Sequence, residues 1–186
     1  SGSDVSVRAS PPASRVGGIP LQADGQLSAA GGVSLLGSDL TTTVGVTDSV
    51  VIDADNAGAQ QVLAEEEITI TSSTVAQAPD DAAIQIQGDV ESTGGEIDVN
   101  ASGDLVVGAL LKTDLDGSNI TLVADSGDSG VGGVQVLTGG QVDSAGDVSI
   151  TGADVESTGA TDSIVIDADG GNVQVEADGA ITLTSS

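Results

Sequence analysis

The chain repeats itself. Residues 5–9 (VSVRA) and 120–124 (ITLVA) match at an offset of 115, and the match runs on without a gap. SGVGGV from Ser129 meets SRVGGI from Ser14, and GGQVDSAGDVSITGADV from Gly139 meets DGQLSAAGGVSLLGSDL from Asp24. After a one-residue slip, TDSIVIDAD from Thr161 meets TDSVVIDAD from Thr47. After a second slip, AITLTSS at 180–186 meets EITITSS at 67–73. Residues 1–73 and 116–186 are therefore two copies of one segment, and 74–115 is the intervening part of a unit near 114 residues. Order kept over such a length marks an array, and arrays fold by stacking units on their neighbours. Residues 1–186 are expected to form a single segment of about 1.6 tandem repeats. The start at Ser1-Gly2-Ser3 without Met, and a pattern still running at Ser185-Ser186, suggest a window of a longer array.

A finer rhythm lies inside the unit. Apolar–x–apolar triplets recur at Ile84/Ile86, Ile97/Val99, Leu105/Val107, Ile120/Leu122, Val134/Val136, Val148/Ile150, Ile164/Ile166, Val173/Val175 and Ile181/Leu183. Each reads as a short strand with alternate side chains facing one way. Gly, Asp, Ser and Asn clusters such as TGG, DLDGSN and DADGGN separate them and supply turn chemistry. No stretch keeps a 3.6-residue apolar period. Strands of three to five residues are short for a sandwich, whereas Val, Ile, Leu and Ala suit like-on-like stacking between coils. The pattern predicts an all-β parallel β-helix without substantial helix. Aligning Ile97, Ile120, Val148 and Val173 as successive rungs gives coils of roughly two dozen residues, about eight in all. Residues 74–90, with Pro79, fit no particular face.

Composition narrows the function. The chain has no Phe, Trp, Tyr, Cys, Met or His, and its only cations are Arg8, Arg15 and Lys112. Twenty-nine acidic residues give a formal net charge of −26. So acidic a chain suggests disorder at first, but 38% of its residues are apolar and regularly spaced, which favours a folded core too narrow for rings. Phosphate recognition needs clustered Lys and Arg, so nucleic acid is not an expected partner. The charge argues against anionic membranes, and no apolar run is long enough for insertion. It favours solubility, repulsion between chains and cation binding.

The repeat style resembles a known family. Residues 116–159 (DGSNITLVADSGDSGVGGVQVLTGGQVDSAGDVSITGADVESTG) and 94–122 (GGEIDVNASGDLVVGALLKTDLDGSNITL) are similar to the repeats of filamentous haemagglutinin-like adhesins. Those are very large bacterial surface proteins, commonly exported by two-partner secretion. The resemblance implies a right-handed coil, secretion and an extracellular or cell-surface location.

Three constellations bear on chemistry. An enzyme is not expected, because the chain lacks His, Cys and Tyr, and two of its three cations precede residue 16. Glu65-Glu66-Glu67 and Asp80-Asp81 are adjacent carboxylates, which on a strand would face opposite ways. Metal binding is the second. Asp114-x-Asp116-Gly-Ser-Asn119 and Asp167-x-Asp169-Gly-Gly-Asn172 share the order DxDGxN, and Asp53-x-Asp55 is a diverged copy. Alternating oxygen ligands before a Gly suit weak Ca²⁺ binding. Neither segment completes a twelve-residue calcium loop, so plain turn formation is the competing reading. Third, Thr69-x-Thr71 and Thr182-x-Thr184 have the spacing of ice-binding faces, but they stand nearly a whole repeat unit apart rather than on successive coils.

Two functions are expected to compete. One is a structural repeat of an extracellular filament or surface-protein shaft, with self-association or continuation end to end into a fibre. The other is an adhesin-type binding module that contacts cells or polysaccharide, with calcium as a stabiliser and no other cofactor.

Overall fold

The computed structural model describes residues 2–9, 18–22, 25–38, 50–53, 60–73, 82–126, 131–154, 163–167 and 173–185. Among them every regular element is a β-strand, and the strands come in coils of three. β1 (Val5–Arg8), β2 (Ile19–Leu21) and β3 (Leu27–Ala29) make the first coil. β4 (Val33–Gly37), β5 (Val50–Ile52) and β6 (Val62–Ala64) make the second, and β7 (Ile68–Ser72), β8 (Ala82–Ile86) and β9 (Val90–Ser92) the third. β10 (Ile97–Asn100), β11 (Asp104–Val107) and β12 (Leu110–Thr113) form the fourth. The fifth holds β13 (Ile120–Val123), the short β14 (Val131–Gly132), β15 (Val134–Val136) and β16 (Gln141–Ser144). The sixth holds β17 (Val148–Asp154), β18 (Ile164–Ile166) and β19 (Val175–Ala177), and β20 (Ile181–Ser185) opens a seventh.

Each coil contributes one strand to each of three sheets. Sheet I runs β1-β4-β7-β10-β13-β17-β20, sheet II β2-β5-β8-β11-β15-β18, and sheet III β3-β6-β9-β12-β16-β19. Neighbours along these sheets are parallel and pair like with like, as in Ile68 beside Ile97 and Ile97 beside Ile120. β14 instead lies antiparallel to the end of β17, with Val131 opposite Asp154. The architecture is a parallel β-helix.

The coils are fewer and longer than expected. Six are complete among the described residues, and with about 4.8 Å per step the axis from β1 to β20 is about 29 Å. The step from Ile97 to Ile120 is a short one, whereas those from Val33 to Ile68 and from Val148 to Ile181 are nearly half as long again. The surplus lies in the connections that leave sheets I and II. Twelve residues separate β4 from β5 and nine separate β5 from β6, against three between β10 and β11 and two between β11 and β12. Connections have no apolar period, so the sequence pattern undercounts them. Val173 is also corrected: the rung after Val148 is Ile181, while Val173 is 54% exposed and precedes β19. Of the unplaced stretch, 82–86 joins sheet II and Val90 opens a sheet III strand, whereas 74–81 lies outside the described residues.

The core is a set of aliphatic columns. Val33, Ile68, Ile97, Ile120 and Val148 form one on sheet I, with Leu35, Ile70, Val99, Leu122 and Ile150 beside it, all at most 2% exposed. Sheet II adds Val50, Ile84, Leu105 and Val134, and sheet III adds Val62, Val90, Leu111 and Val142. Each fully buried aliphatic contributes about 1.5–3 kcal/mol. Where sheet III meets the turn to sheet I, the inward residue becomes small or hydroxylated: Ala64, Ser92, Thr113 and Ser144. Their hydroxyls bond backbone of that turn, as Ser144 Oγ does to the Ser118 carbonyl at 2.9 Å. A buried hydroxyl is thereby satisfied rather than orphaned.

The two sequence copies use the same sheets. β1 and β13 both lie in sheet I, β2 and β15 in II, β3 and β16 in III, and β5, β6 and β7 correspond in the same way to β18, β19 and β20. Equivalent strands are four coils apart, about 19 Å along the axis.

Candidate functional surfaces

The turns from sheet III to sheet I are short, at three to six residues in every described coil. The residue just before each sheet I strand forms a column of Asp4, Gly32, Glu67, Glu96, Asn119, Asp147 and Ala180. Side-chain oxygens in this column accept backbone N–H groups from the next coil. Asp4 Oδ1 accepts from Gly32 at 3.0 Å, Asn119 Oδ1 from Asp147 at 2.8 Å, and Asp147 Oδ1 from Ala180 at 2.7 Å. Asn119 Nδ2 donates backwards to Glu96 Oε1 at 3.2 Å. The residue just before each of these donors must be small, and it is Gly31, Gly146 and Gly179 in turn. A Cβ on Gly146 would stand 2.6 Å from Asn119 Oδ1 and 2.7 Å from the Ser118 carbonyl. The ladder joins coils edge to edge where the backbone changes direction.

This ladder accounts for part of the DxDGxN pattern. Asn119 is a joint between coils, with both ends of its amide engaged. Asp116 is exposed and sits in a four-residue turn closed by Ser118 N–H to the Leu115 carbonyl at 2.9 Å. Gly117 holds the turn's third position at φ 82°, which Gly adopts without penalty. Asp114 pairs with Lys112 at 2.6 Å. Asp53 and Asp167 occupy a different turn, from sheet II to sheet III, and are four coils apart. Their backbone N–H groups donate to the Leu21 and Val136 carbonyls. Asp55, Asp169 and Asn172 lie outside the described residues. The three Asp-rich segments thus share an order of residues but not a single corner. Among the described residues no group of three or more acidic side chains is gathered for a metal.

One outward face carries a cluster of paired charges. On sheet III the outward column reads Ser28, Leu63, Glu91, Lys112, Asp143 and Glu176. Lys112 stands between two carboxylates, the favourable cross-strand arrangement. Its hydrogen bond to Asp114 raises the Lys112 pKa and lowers that of Asp114. Desolvation, reinforced by Asp114, raises that of Glu91, which also accepts from Gln60 Nε2. The sequence held this signal only as register: a lone Lys flanked one coil either way by acids. Sheet I turns Ser34, Thr69, Asp98, Thr121, Ser149 and Thr182 outward. Thr69/Thr71 and Thr182/Thr184 share this face, with the Asp98/Asn100, Thr121/Val123 and Ser149/Thr151 pairs between them.

A shallow cavity of about 310 Å³ opens beside the first coils, lined by Asp4, Ser6, Gly32, Ser34, Glu66 and Glu67 among others. The Glu65-Glu66-Glu67 run lies on a turn rather than a strand, with all three side chains exposed. Among the described residues no helix is long and apolar enough to cross a membrane. Comparison with protein-family models, curated proteins and solved structures returned no match.

Proposed function

We propose that this chain is a structural repeat of an extracellular filament or surface-protein shaft that lengthens by stacking coil on coil. One observation carries the reading: both sequence copies run through the same three sheets in the same register, so added units extend one axis without changing the cross-section. The missing residue types support it. Without His, Cys or an aromatic ring the chain has few of the groups used for catalysis or sugar stacking. Two such units joined in tandem should form rods under electron microscopy, lengthening by about 19 Å per unit and diffracting at about 4.8 Å along the axis. Compact particles of unchanged length would overturn it.

An adhesin-type module is the second reading. The observation favouring it is that the longest connections between successive sheet strands, 38–49, 9–18 and 124–133, all run from a sheet I strand to a sheet II strand. Solenoid insertions gathered on one side commonly form a binding surface. Saturable binding of the 186-residue chain to cells or an uncharged polysaccharide, lost on shortening 38–49, would establish it.

A further inference from the structure

The last strands expose what their counterparts bury. Ile181 and Leu183 are 49% and 50% exposed and Ile166 39%, whereas the equivalent Ile68, Ile70 and Ile52 are wholly buried. The difference has one cause. β5, β6 and β7 are covered by β8, β9 and β10, each in parallel register. Nothing described covers β18, β19 and β20 in that way.

We infer that the edge formed by β18, β19 and β20 is a docking surface for one coil of the sequence type of residues 82–100. The occupant is read from the molecule's own interior. Ile164, Ile166, Val175, Ala177, Ile181 and Leu183 repeat Val50, Ile52, Val62, Ala64, Ile68 and Ile70, on which 82–100 already sits. Backbone acceptors recur too. Gln87 N–H bonds the Ile52 carbonyl and Thr93 N–H the Ala64 carbonyl, and the edge equivalents are those of Ile166 and Ala177. So does a side-chain acceptor. Gln61 Oε1 takes the Asp89 N–H at 3.0 Å, and Gln174 stands in the place of Gln61, its Nε2 bound to the Leu137 carbonyl at 3.1 Å. One position departs from the interior pattern. Leu63, beside Glu91 inside the stack, is replaced at the edge by Glu176, which would meet that Glu. Like charges directly opposite weaken a strand pair.

The inference rests on the stacking reading but names its partner. A synthetic peptide of residues 82–100 is added to the full chain, and amide exchange is followed strand by strand. The expected result is exchange slowed by roughly tenfold or more in β18, β19 and β20 and unchanged in β1–β3. A scrambled peptide should not do this, nor should the peptide protect a chain carrying Ile181→Asp and Leu183→Asp. Glu176→Leu should tighten binding by up to about fivefold, the scale of one cross-strand pair. A second arm appends a copy of residues 74–100 after Ser186, so that weak association between molecules cannot hide the effect. It should bury β20 and raise the urea midpoint, while a scrambled extension should not.

The inference is overturned if neither arm protects β18–β20, or if scrambled sequences do so equally. It is also overturned if the chain alone already protects β20 by pairing with a second copy. Rods formed without this selectivity would leave the shaft reading standing; selectivity without rods would do the reverse.

Discussion

Strands β5–β7 and β18–β20 are nearly one sequence in two settings. VVI, VLA and ITITS lie in mid-stack, and IVI, VEA and ITLTS lie at its last described edge. The first set alternates buried and half-buried residues, while β20 is exposed at every position. The strand form persists in both, since parallel pairing with one neighbour suffices for it. Burial does not persist. In a solenoid, the core belongs to the junction between coils rather than to any coil, and a residue's worth depends on its rung.

The sharpest way to break the comparison is to truncate equivalent residues. Ile70→Ala removes a wholly buried side chain and should cost about 2–5 kcal/mol in urea unfolding. Leu183→Ala, on a half-exposed equivalent, should cost less than about 1 kcal/mol. Equal losses would mean that the edge is covered in solution. Next in size, Gly146→Val forces a side chain into the acceptor space of Asn119 and should cost about 1–3 kcal/mol.

The polar joints give a finer test. Asn119→Ala deprives the Asp147 N–H of its acceptor and should cost about 1 kcal/mol. Asp147→Ala frees the exposed Ala180 at the edge, where water replaces the bond, so its cost in the same assay should be smaller. The smallest effect is expected at Lys112→Met, because both partners of its pair are about a third exposed (36% and 35%) and surface pairs contribute about 0–1 kcal/mol. Its signature is titration rather than stability. Asp114 is held low by Lys112, so its contribution is present above the ordinary Asp range and lost as pH falls through the lowered value. Glu91 is held high and acts oppositely, favouring the fold below its ordinary range and losing that contribution as pH rises. In Lys112→Met the Asp114 resonance should titrate at higher pH, and NMR would read this directly.

Much of the fold was legible because its information is local. Apolar–x–apolar triplets named eight strands correctly, all of them in sheets I and II, whose strands turn two aliphatic rungs into a narrow core. The count of coils was not legible. Val173 imitates a rung because it precedes Val175 by two, yet it falls in the turn before β19. Spacing cannot separate Ile181 from Val173 when connections between sheets vary from two to twelve residues. The Asp-rich motifs were visible as strings, but not the corner each would occupy. Register brought Lys112 between Glu91 and Asp143, and it set Asn119 beneath Asp147. Those neighbours touch across one coil step in space, but the chain must travel a full circuit of three strands to bring them there.

The backbone bonds between coils, such as Val33 N–H to the Glu67 carbonyl and Ile97 N–H to the Asn119 carbonyl, point along the stack and not across it. A pull on the two ends would therefore peel the outermost coil first and its neighbours in turn. Each coil released frees a whole circuit of chain, about 80–120 Å when extended at roughly 3.5 Å per residue. A stack built this way would lengthen in steps roughly twenty times the rise of one folded coil, absorbing force by unwinding instead of breaking.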